Sequence, residues 1–163
     1  MLDGMELVLA LPPDWETRRI GLRRVVTVPG FALVPDLFIE LHPLVPRPEV
    51  RADLVIKAAL PPDTELRFLP GATLATRTGW PMSLVAATVV DHGGALREVR
   101  LVVRYDVLVY AATALVRASS AERYERMRPQ ILDVLATARP RLRTFTPACI
   151  GELWEMDEVD ATS

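Results

Sequence analysis

The sequence predicts an α+β fold: an antiparallel sheet of about six to seven strands, packed by one short helix and one long C-terminal helix. Three observations carry this. Apolar runs of strand length recur through the first two thirds of the chain, punctuated by Pro and Gly pairs. Most connections between them are short enough to be hairpins. Only one long stretch, Ser119 to Ala138, has strong helical periodicity.

Met5 to Leu11 is a strand stopped by Pro12-Pro13, and Leu22 to Val28 is a second, ending at Pro29-Gly30. Leu37 to Leu44 is a third, with Phe38, Glu40 and His42 on one face and Leu37, Ile39 and Leu41 on the other. In residues 46–60, Val50, Leu54, Lys57 and Ala58 fall at helical spacing with Pro48 in a first-turn position, so a short helix is expected. Glu65 to Thr78 returns to strand chemistry, broken at Pro70-Gly71. Ser83 to Asp91, a turn at His92-Gly93-Gly94, and Leu96 to Tyr105 form a hairpin.

The greasiest stretch, EVRLVVRYDVLVYAATALVR, is two strands. Arg104 and Asp106 interrupt it well short of the ~20 apolar residues that a membrane helix needs. Over residues 97–105 the pattern has period two: Val99, Leu101, Val103 and Tyr105 on a buried face, Glu98, Arg100, Val102 and Arg104 on a wet one. A reversal near Asp106 leads to Val107–Val116, apolar on both faces and hence central in the sheet. In the long helix, Ser119 and Glu122 have capping-box spacing. Tyr124, Met127, Ile131, Val134, Leu135 and Ala138 form its apolar stripe. Pro129 predicts a kink or restart and Pro140 the end. Residues 1–145 make one domain, and 146–163 are an acidic, partly mobile tail.

The 163 residues suffice for one domain with a core, and 50% of them are hydrophobic. A net charge of −2 gives no electrostatic reason to expect nucleic acid. Cys149 is the only cysteine, so no intrachain disulfide forms. The N-terminus lacks a basic segment before its short apolar run, so it does not read as a signal peptide, and a cytoplasmic location without membrane insertion is expected. His42 and His92 have no ligand or triad spacing around them. Asp91-His92-Gly93-Gly94 reads as a turn, and the paired arginines as a solvated rim or carboxylate partners. Trp15 and Trp80 read as core plugs at strand ends. Phosphate-binding glycine loops are absent. No enzyme activity, metal or cofactor is expected. What remains is an apolar excess, which predicts a protein-binding surface or a homodimer. LWEM in the tail, with Trp154, is a candidate docking segment and supplies an alternative reading, an interaction subunit of some other assembly.

Two stretches carry a family resemblance. LVLALPPDW near the start, and VLVYAATALV followed by ERYERMRPQILDVLATARP, resemble the opening and closing patterns of DcrB-related proteins of the Mog/PsbP-like fold. That resemblance implies an α/β/α sandwich. It also implies the role of the cytoplasmic members that act as effector-associated chaperones in type VI secretion. Those are dimers whose sheet surface shields an apolar segment of a secreted effector. By the same analogy, Val26, Val28, Leu37, Ile39 and Leu41 would carry the contact.

Overall fold

The computed structural model describes residues 5–30, 35–58, 60 and 64–142. In chain order the elements are β1 (Met5–Val8), β2 (Glu16–Ile20), β3 (Arg23–Thr27), β4 (Leu37–Leu41), β5 (Val45–Pro46), α1 (Ala52–Lys57), β6 (Glu65–Phe68) and β7 (Ala72–Ala75). There follow β8 (Pro81–Val90), β9 (Leu96–Val107), β10 (Tyr110–Ala118), α2 (Ala121–Leu135) and β11 (Arg139–Leu142). Nine strands form one antiparallel sheet in the order β2-β3-β4-β10-β9-β8-β6, with β5 added on β10 and β7 on β8. β1 and β11 form a separate two-stranded ribbon. The sheet therefore exceeds the expected six to seven strands. Short pieces account for this: β2 and β5 carry little apolar signal, and Pro70-Gly71 divides one edge strand into β6 and β7.

The sheet lies between its two helices. On one face α2 and the segment from Met5 to Leu11 share the main core with Val26, Ile39, Val99, Leu101, Val103, Tyr105, Ala114 and Val116. On the other, Ile56 of α1 packs with Ala87, Val102 and Leu115. β10 sits at the centre of the strand order, buried on both faces from Ala111 to Val116, as its apolar residues on both faces predict. The expected wet face of β9 needs correction. Arg100 and Val102 are buried there, because α1 lies over them.

The β8–β9 turn behaves as read. Asp91 Oδ1 accepts from the backbone of Gly93 at 3.0 Å and of Ala95 at 2.9 Å, and Gly94 takes φ 85°. The reversal after β9 falls at Leu108-Val109, just beyond the expected place, with Leu108 in the left-handed region at φ 59°.

α2 shows the predicted stripe: Tyr124, Ile131, Val134, Leu135 and Ala138 are buried and Met127 packs against them. Its cap is Ser120, whose hydroxyl accepts from Arg123 N at 3.2 Å. Ser119 is still held by the sheet, its N–H donating to Asp36 O at 3.0 Å, so the expected Ser119 cap shifts by one residue. The helix runs through Pro129 without a break and ends at Leu135, short of Pro140. Pro140 instead stands in β11, which among the described strands pairs with β1 alone, so the missing N–H is tolerated there.

One arginine ties the start of α2 to the sheet. Arg123 Nε donates to Asp36 Oδ1 at 2.6 Å, and its Nη2 to the carbonyls of Val28 at 3.0 Å and Pro29 at 2.9 Å. A Cβ built on Gly30 would overlap that guanidinium. Gly30→Ala is therefore expected to push the Arg123 head off its acceptors. The loss should be about 1 kcal/mol, a fall in Tm of roughly 2–4 °C by thermal denaturation. An unchanged Tm would show that the three bonds add nothing.

A candidate docking groove beside the first helix

α1 is too short to be stable by itself. A 3-10 turn at Arg47–Glu49, with Pro48 inside it, leads in, and extended backbone at Ala58 ends the helix. Ala52 and Val55 rest partly buried on the sheet, and two deeper interactions hold the helix down. Ile56, its one fully buried residue, fills the gap above Ala87, Val102 and Leu115. Arg100, only 2% exposed, reaches up from β9 and donates to Ile56 O at 2.7 Å and Ala58 O at 2.8 Å, with Glu98 as its ion-pair partner.

With Ile56 inward, the stripe of Val50, Leu54 and Ala58 is left on the open side of the segment. It lines a groove of about 400 Å³ between α1 and the sheet. Val55 lies on the same wall; Pro43, Val45 and Ala112 are opposite, and His42, Thr113, Glu49 and Arg51 supply the polar groups. Leu54 is 52% exposed. Near one end of the groove, the Arg47 N–H donates to Val109 O at 3.1 Å, fixing the exposed Leu108-Val109 turn against the 3-10 segment.

The same sheet face beyond α1 is charged. Glu40 of β4 pairs with Arg23 of β3 at 3.4 Å and with Arg117 of β10 at 3.7 Å, and Arg117 reaches Glu98 of β9 at 3.5 Å. This ladder keeps the half of the sheet that α1 leaves open from being an apolar surface. His42 Nε2 lies 3.7 Å from Glu40, is buried and has no hydrogen-bond partner. Burial lowers the His42 pKa, an effect that Glu40 opposes and Arg23 reinforces, so the imidazole stays neutral at pH 7. Among the described residues, no group of three or more His, Cys, Asp or Glu is placed to hold a metal ion. No described helix is long and apolar enough to cross a membrane.

The contact residues implied by the family resemblance require correction. Val26, Val28, Leu37, Ile39 and Leu41 are each 5% exposed or less, within the main core. Their faces alternate as the sequence predicts, and the apolar side is turned into the main core. Trp154 and Cys149 lie outside the described residues. Trp15 is buried and Trp80 packs on the core, as expected. Arg19 and Arg141 both pair with Glu6, in line with the rim reading of the arginines. Val45, Leu54 and the groove they line were missed. The signal was present as a helical stripe, and its spacing could not say which side of α1 the sheet would take.

Comparison with known proteins places the fold. No protein-family model matches the sequence, and no curated protein does. The chain is similar to the solution structure of cyanobacterial PsbP (CyanoP) from Synechocystis sp. PCC 6803, with a TM-score of 0.59 and 10% identity over 83% of this chain and 92% of that one. The protein thus has a PsbP-like fold, a mixed α+β architecture on a mostly antiparallel sheet. At this identity the likeness defines the fold alone.

Proposed function

We propose that this is a non-enzymatic binding protein that holds an apolar segment of a partner polypeptide in the groove beside α1. The observation that carries the reading is Leu54 of α1, with Val50 and Ala58 on the segments flanking the helix, lining a groove of about 400 Å³. That volume lies within the ~300–1,000 Å³ of ligand-binding clefts and has room for a few aliphatic side chains. A helix presenting one apolar stripe to it is the natural occupant. The charged ladder on the adjoining sheet face supplies the polar rim of such an interface. The finer reading follows the family resemblance: a cytoplasmic chaperone or adaptor shielding a hydrophobic segment of a secreted effector. The DcrB-like and type VI assignments stand on those sequence patterns.

The test uses a labelled peptide of ~20 residues, rich in Leu and Ala and flanked by lysines, followed by fluorescence anisotropy. Wild-type protein is expected to bind it. Leu54→Asp should weaken binding at least tenfold, since burying a leucine contributes about 1.5–3 kcal/mol, while Tm stays near wild type because Leu54 is half exposed. Leu54→Met should retain binding. Equal affinity for wild type and Leu54→Asp would remove the groove from the account. For the finer reading, co-expression with a neighbouring reading frame that has an apolar N-terminus should yield a stable complex with wild type and none with Leu54→Asp.

A further inference from the structure

The two outer edges of the nine-stranded sheet differ in chemistry. β2 reads ETRRI, and Arg19 is engaged by Glu6 at 3.3 Å. A second copy laid antiparallel about the middle of β2 would set Arg18 against Arg18, and like charges directly opposite repel. The other edge consists of β6 and β7, end to end along β8. From Phe68 to Thr76 it carries no charge. All four residues of β7 are exposed, and Phe68 and Leu74 are 49% and 46% exposed. An apolar strand edge open to water is a template for pairing.

We propose that the β6–β7 edge is the seam of a two-fold dimer, occupied by the same edge of a second copy. Antiparallel pairing about an axis normal to the sheet keeps like faces together. With that axis at the Pro70–Gly71 break, β6 of one copy runs beside β7 of the other. Pro70, which has no N–H to give, then falls in the gap between the two ladders, where nothing is asked of it. Glu65 and Arg67 are the only charges from residue 65 to 75. In this arrangement Arg67 meets the uncharged Ala72–Ala75 run instead of a second Arg67. Pairing along β2 would draw Glu16, Arg18 and Arg19 into the seam and cost their desolvation, a cost the uncharged run from Phe68 to Thr76 does not carry, which favours this edge for the second copy. The dimer rests on the sheet edge and is independent of the groove.

The full chain is expected to sediment as a dimer at ~50 µM. Leu74→Arg, which sets the new cation against β6 and its Arg67 in the partner, should raise the dimer dissociation constant at least tenfold, with circular dichroism and Tm unchanged. Phe68→Arg should do the same, and serves if the first variant folds poorly. Hydrogen exchange at Ala72–Ala75 in the wild type should slow as concentration rises. A wild-type monomer at ~200 µM would overturn the proposal and leave this edge to the strand of another protein. A dimer that neither substitution weakens would overturn it as well.

Discussion

Replacing Arg100 with Met should destabilise the protein by about 3–5 kcal/mol, a fall in Tm of roughly 10 °C. Arg100 is buried, and its Nη1 serves two carbonyls at the end of α1, Ile56 O and Ala58 O, while its Nε pairs with Glu98. A methionine keeps the length of the apolar stem and supplies no donor. Both carbonyls lose that donor, and among the described residues Glu98 keeps Arg117 as its ion-pair partner. Lysine is a poor substitute, since one ammonium cannot reproduce the planar fork that reaches the two carbonyls and the carboxylate together. Arg100→Lys should fall between wild type and Arg100→Met. The loss should begin locally: hydrogen exchange at Leu54–Ala58 should accelerate more than exchange in β9 and β10. A Tm within about 2 °C of wild type would show that Ile56 alone docks α1.

That prediction also bears on the groove. One wall is α1, whose most deeply buried anchors are Ile56 and Arg100. Arg100→Met should therefore weaken binding of the apolar peptide even where the chain remains folded. Leu54→Asp separates the two effects, since it alters the wall and leaves the anchor in place.

The residues that announced the fold were those whose pattern has one physical solution. β10 is apolar on both faces and can only be central. The α2 stripe from Tyr124 to Ala138 can only face a sheet. What stayed illegible was decided by tertiary partners. The reversal between β9 and β10 has no Gly or Asn to mark it; Leu108 is forced to φ 59° by strands already in register. Ser119 and Ser120 are both capable caps, and the choice falls to Ser120 because Asp36 O claims the Ser119 N–H. Arg100 reads as a surface residue by alternation, and only a helix forty residues earlier, crossing above it, makes it a buried cap. The candidate site depended on that same crossing. Six residues with two apolar sides do not say which side the sheet will bury.

Tyr105 gives the sharpest dependence on pH. Its side chain is fully buried under α2, with the hydroxyl donating to Leu135 O at 2.7 Å. That carbonyl also accepts from Ala138 N at 3.2 Å, so Tyr105→Phe should cost only about 1 kcal/mol near neutral pH. At high pH the balance reverses. Burial pushes the Tyr105 pKa far up, whereas in the unfolded chain the phenol ionises near pH 10. Above ~pH 10 the unfolded state loses a proton that the folded state keeps, so stability falls by up to about 1.4 kcal/mol per pH unit from this residue. Stability is therefore intact below that range and is lost as pH rises through it. Phenylalanine has no proton to lose. Tyr124 is also raised by burial, but it is common to both proteins and drops out of the difference. Urea denaturation from pH 8 to ~11.5 should show the Tyr105→Phe curve starting below wild type and crossing it near pH 11. Parallel curves would mean that the phenol reaches water in the folded state, and the packing of α2 over β9 described above would then be wrong.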